Sequence, residues 1–150
     1  MATLLSDQYN LPAPCAPMVM LYGEKTFTVA PSANDVIKMF KMPIGFTPIF
    51  GYLMGDDIDS GTETLELDVG ITGDTTKYLN SGVLTGDAVS GVNITTGIRI
   101  ALQEDLMTEP AAALTSETDL IVTVTAAANA GGTGTIKVIM CGLFNDPRIP

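Results

Sequence analysis

Apolar residues recur at every second position along most of this chain, not at every third or fourth, which is the period of strands. Met18 to Tyr22 and Thr26 to Val29 flank Gly23-Glu24-Lys25, an order that predicts a small hairpin. Asp35 to Met42 fits two patterns. As a strand it places Val36, Lys38, Phe40 and Met42 on one face; as a helix it makes a stripe of Val36, Ile37, Met39 and Phe40 behind an Asn34 or Asp35 cap. Eight residues ending at Pro43 are short for an independent helix, and the β character of the surroundings favours the strand. Phe46 to Met54 is a further apolar run, in which Pro48 indicates an edge or a bulge.

Beyond the acidic turn Gly55 to Gly61, Thr62 to Val69 alternates cleanly. Leu65, Leu67 and Val69 face one way and Thr64, Glu66 and Asp68 the other, as in a strand with one wet face. Asp74 to Leu79 reads as a single helical turn capped by Asp74, and Val92 to Thr95 and Ile98 to Leu102 as short strands. The strongest pattern lies near the C-terminus. Asp119 to Ala126 and Ile136 to Phe144 both alternate, and the Gly-rich stretch Ala127 to Gly134 between them predicts a β-hairpin.

Eight to ten short strands with no βαβ rhythm exclude an α/β fold and predict an all-β chain: a single antiparallel β-sandwich, jelly-roll-like, over residues 18–150. Residues 1–17 differ. Pro12, Pro14 and Pro17 fix φ and remove donors, so this segment is expected to be an extended N-terminal arm. Leu4, Leu5, Tyr9 and Leu11 are too apolar for a purely solvated tail, and the arm either packs on its own domain or lies across a neighbouring subunit. Leu4, Leu5, Tyr9, Leu11, Pro12 and Pro14 are therefore the candidate partner-binding residues.

Composition narrows the function. The 150 residues are 46% hydrophobic, which excludes disorder throughout. Seven Lys+Arg against 17 Asp+Glu give a net charge of -10, which disfavours nucleic acid as a partner because phosphate binding depends on basic side chains. No apolar run reaches the length of about 18 residues that a membrane span needs, and the first ten residues do not read as a secretory signal. Cytoplasmic synthesis is expected, with Cys15 and Cys141 as free thiols.

Little in the chain points to catalysis. Without histidine there is no Ser–His–Asp or Cys–His mechanism and no His-ligated zinc, and Ser81 and Ser90 lack a G-x-S-x-G frame. Asp56, Asp57 and Asp59 invite a calcium reading, but the spacing fails the EF-hand pattern: Gly61 is fifth from Asp57, and Asp68 stands at the twelfth position. A solvated Asp/Gly turn is the simpler reading. Gly131-Gly132-Thr133-Gly134 lacks the Lys and the helix of a phosphate loop. No catalytic residue, metal ligand or cofactor is expected, and the protein is read as a non-enzyme.

The run Ala33-Asn34-Asp35-Val36-Ile37-Lys38-Met39-Phe40-Lys41-Met42-Pro43-Ile44-Gly45, the turn Asp56 to Thr62, Leu65-Glu66-Leu67-Asp68-Val69-Gly70, the segment Asp74 to Leu79 and the closing runs Leu120 to Phe144 together resemble small virion structural proteins of tailed bacteriophages, the capsid decoration or cement proteins. The resemblance covers roughly residues 30–144 and lies in strand and turn patterns; the arm has no counterpart in it. It implies a protein assembled in the host cytoplasm and bound to the outer surface of the virion, bridging neighbouring major capsid protein subunits, as a homo-oligomer with a trimer preferred. The alternative is a β-sandwich adhesin or carbohydrate-binding module of a tail or fibre, against which the 6% aromatic content and the absence of Trp count.

Overall fold

The computed structural model describes residues 18–56, 58–59, 64–83, 98–102, 112–129 and 133–144. Eight strands occur among them: β1 (Met18–Phe27), β2 (Val36–Met42), β3 (Phe46–Gly55), β4 (Glu66–Ile71), β5 (Asp74–Val83), β6 (Ile98–Leu102), β7 (Thr118–Ala126) and β8 (Gly134–Phe144). They form two four-stranded sheets, ordered β1-β8-β3-β6 and β2-β7-β4-β5. Every strand pairing is antiparallel. Among the described strands, consecutive ones lie in opposite sheets except β4 and β5, and the two sheets pack as an antiparallel β-sandwich.

The core is what the alternation predicts. Leu53 of β3 and Ile136, Val138 and Met140 of β8 point inward from the first sheet. Leu67 and Val69 of β4 and Leu120, Val122 and Val124 of β7 point inward from the second, and all of these are buried. Phe46 and Tyr78 supply the largest buried side chains. Two packed inner faces with alternate residues outside are the ordinary consequence of a side-chain period of two.

Several expectations are corrected. No hairpin turn interrupts β1: Gly23, Glu24 and Lys25 pair with Val138, Lys137 and Ile136 in an unbroken ladder. Gly23 is instead a point of close approach between the sheets, where an added Cβ would lie 2.5 Å from the Met39 carbonyl oxygen. The segment 74–79 is strand, not a helical turn, and it pairs back onto β4 through a two-residue turn, Thr72-Gly73, with Gly73 at φ 97. The expected hairpin of the last two strands is absent. β7 pairs with β2 and β4 while β8 pairs with β1 and β3, so the two strands belong to different sheets.

Other readings stand. Residues 36–42 form a strand, with a register shift between Lys38 and Phe40. Pro48 marks a bulge, as a missing ladder donor requires, but in an interior strand. Asp68 lies on the outer face of its sheet as expected, yet it is buried there, so that face is not uniformly wet. The expected strand at 92–95 lies outside the described residues.

Candidate binding surface

The side chains that face outward from the first sheet are apolar, which a strand covered on one side only does not require. On β1 these are Met18, 64% exposed, Met20, 63%, and Tyr22, 47%. Cross-strand register fixes their neighbours. Met20 lies opposite Cys141 of β8, which lies opposite Phe50 of β3; Tyr22 lies opposite Ile139, which lies opposite Tyr52. Phe50 is 41% exposed and meets Tyr52 edge-to-face, ring centroids 6.3 Å apart, as two residues on one face of a strand do.

The relief of this face follows from its strand order. Cys141 is a free thiol only 8% exposed, and Ile139 and Leu143 are half-buried, so the outer side of β8 is a trough. β1 and β3 rise on either side of it. At one end the pattern becomes polar: Glu24 pairs in register with Lys137, and the Tyr22 hydroxyl donates to Glu24 Oε2 at 2.5 Å. That bond, with the carboxylate's charge, raises the Tyr22 pKa above its ordinary value.

Charge is divided unevenly between the sheets. The four strands of the first sheet contain one carboxylate, Glu24, against Lys25, Arg99 and Lys137, in a chain of net charge -10. The rim of the second sheet carries two ion pairs, Lys38 to Asp119 at 2.7 Å and Lys41 to Glu117 at 2.6 Å. Lys38 holds the Asp119 carboxyl below its usual range, and Glu117 raises the pKa of Lys41.

The acidic turn is built otherwise than a wet loop. Asp59 is 1% exposed, and its carboxylate accepts the backbone N–H groups of Thr64 at 2.5 Å, Leu65 at 2.9 Å and Asn129 at 2.9 Å. Thr64 Oγ1 donates to the Ala127 carbonyl at 2.7 Å. Asp56 accepts the Thr135 N–H at 2.8 Å and its own N–H donates to the Thr135 carbonyl at 3.0 Å. Backbone amides thus occupy the oxygens that a cation would need. Among the described residues no three Cys, Asp or Glu side chains come together as a metal site. Asp57, Cys15 and the arm residues Leu4, Leu5, Tyr9, Leu11, Pro12 and Pro14 lie outside the described residues.

Met18, Met20 and Met54 do not by themselves mark the apolar outer face, because methionine fills cores as readily as it covers surfaces. The signal was present nonetheless: in β8 both alternating sets, Ile136-Val138-Met140 and Ile139-Cys141-Leu143, are apolar, as expected of a strand covered on both sides.

No protein-family model matches the sequence, and no curated protein sequence matches it. Solved structures do. A chain of the cyanophage Pam1 capsid asymmetric unit superposes with a TM-score of 0.71 at 21% identity, covering 97% of this chain and 100% of that one. The fold is one that phage capsids contain. A chain from the capsid of Ralstonia phage GP4 superposes with a TM-score of 0.64 at 24% identity, covering 91% and 90% of the two chains. A chain from the acid-stable capsid of Helicobacter pylori bacteriophage KHP30 gives 0.58 at 14% identity, covering 86% and 89%. At these identities the likeness is one of fold, shared over nearly the whole length of each capsid chain.

Proposed function

We propose that this chain is a structural protein of a phage virion, a cement protein bound to the outer surface of the capsid and assembled there in the host cytoplasm. It bridges neighbouring major capsid protein subunits. The observation that carries this reading is the whole-length correspondence with a chain of a capsid asymmetric unit, a chain no longer than the sandwich and its arm. The residue chemistry supports it. The chain has no histidine, and the buried carboxylate of Asp59 is bound to backbone amides, an arrangement that holds loops in place.

Mechanistically, a protein that binds only assembled subunits draws the shell toward the assembled state by mass action. Each contact can be weak, because copies that associate with one another engage several sites at once and their affinities compound. The arm, with Leu4, Leu5, Tyr9 and Leu11 and the stiffening Pro12 and Pro14, supplies the reach for contacts beyond the sandwich. A largely acidic exterior suits a location away from packaged nucleic acid.

The test is binding of the purified chain to emptied, expanded heads of the phage that encodes it. The expected result is saturable binding and a higher temperature of head disruption. Heads that neither bind the chain nor change in heat resistance would overturn the proposal.

A further inference from the structure

The outer face of the β1-β8-β3-β6 sheet meets the requirements for a contact between copies of this chain. We infer that two copies stack through it about a two-fold axis running along the strands, between β1 and β8. Three observations converge on a second copy as the occupant.

The first is relief. The exposed Met18, Met20 and Tyr22 form a ridge on β1, and the recessed Ile139 and Cys141 form a trough on β8 directly beside it. A two-fold axis between those strands sets the ridge of each copy into the trough of the other. Met20 then lies over Cys141 of the facing copy and Tyr22 over its Ile139, at the spacing of about 10 Å at which sheets pack face to face. A surface with a ridge and a matching groove side by side is complementary to itself, as an isologous contact requires.

The second is charge at the end of the strip. Glu24 and Lys137 occupy one register position on adjacent strands. The same axis carries Glu24 of each copy over Lys137 of the other, giving two reciprocal opposite-charge contacts.

The third is the distribution of the remaining charge. Two bodies of net charge -10 repel one another. Here the described outer face carries one carboxylate, Glu24, beside Lys137, so stacking keeps the acidic surfaces apart. This contact implies dimers as the unit of self-association, in place of the trimer that the sequence resemblance suggested.

Sedimentation equilibrium and native mass spectrometry of the full chain at micromolar concentrations test the inference without any capsid. The expected result is a dimer. Met20→Glu, at a solvent-exposed site in the monomer, is expected to weaken it at least about tenfold, because it buries an unpaired charge in the contact. Glu24→Lys is expected to weaken it too, and the exchange Glu24→Lys with Lys137→Glu to restore it. Circular dichroism spectra and melting temperatures near those of the parent chain establish that each variant is folded. A monomer at every concentration, a trimer, or a dimer indifferent to Met20→Glu overturns the inference; none of these outcomes bears on whether the chain binds heads.

Discussion

The carboxylate of Asp59 accepts the backbone N–H of Asn129 at 2.9 Å, joining the segment after β3 to the segment after β7 across 70 positions of sequence. The same side chain accepts from Thr64 and Leu65, so one buried acid fixes both the entry to β4 and the exit from β7. An acid here is stable because three amide donors replace its hydration.

Asp59→Ala is therefore expected to cost about 3 kcal/mol, since it leaves buried donors without an acceptor. In a domain of this size that lowers the melting temperature by roughly 6–12 °C. Asp59→Asn keeps the shape and one acceptor oxygen and is expected to cost less. Thermal denaturation of the two variants measures the difference, and equal losses would show that the hydrogen bonds to the carboxylate are not what holds the loops.

Gly23→Ala and Gly73→Ala separate steric crowding from backbone conformation. At Gly23 the new Cβ would lie 2.5 Å from the Met39 carbonyl oxygen and 2.9 Å from its carbon, backbone atoms that cannot swing aside. A loss of about 3 kcal/mol is expected from forcing the sheets apart. At Gly73 nothing lies within 4 Å, and only the positive φ of 97 opposes a side chain. The cost there is about 1–2 kcal/mol. Chemical denaturation midpoints of the two variants should rank in that order.

The ion pair of Lys38 and Asp119 has a pH signature. Because the folded-state pKa of Asp119 is depressed, its contribution to stability is fully present above the ordinary carboxyl pKa and is lost as pH falls through the folded value. Titration followed by NMR should show Asp119 deprotonating at lower pH than an exposed carboxyl, and Lys38→Met should move it back upward. Lys41 behaves oppositely. Its raised pKa means that its stabilising contact with Glu117 persists below the ordinary Lys pKa and is lost as pH rises through the folded value.

Cys141 reports on the apolar face directly. In a Cys15→Ser background, alkylation by a bulky maleimide should be slow in the native chain and rapid in denaturant, because the thiol lies between Met20 and Phe50 at 8% exposure. Met20→Ala should accelerate the native reaction by uncovering one side of the trough.

Alternation in the sequence made the strands and most of the core legible, since Leu65-Leu67-Val69 and Ile136-Val138-Met140 can be read as inward-facing sets without any structure. It says which face of a strand is covered but not which strand lies alongside. Residues 119–126 and 136–144 consequently looked like a hairpin, when each belongs to an interior strand of a different sheet. The true hairpin was signalled by Thr72-Gly73, a two-residue turn with glycine, but the polar run Asp74-Thr75-Thr76-Lys77 resembled a capped helix start more than a strand. Asp59 was hidden for a related reason. An aspartate among glycines and serines is usually solvated, and only the fold brings Asn129 to it. The apolar outer face was not legible because methionine in a strand reads equally as filler or as surface.

Met18 lies opposite Leu143 on adjoining antiparallel strands, so the chain enters and leaves the sandwich at a single pole. Sequences spliced ahead of Met18 and behind Phe144 would emerge side by side, and a peptide displayed through either junction would project from the same end of the sandwich. Display at the opposite pole calls for insertion in an internal loop, where Asp56 and Thr135 mark the far tip.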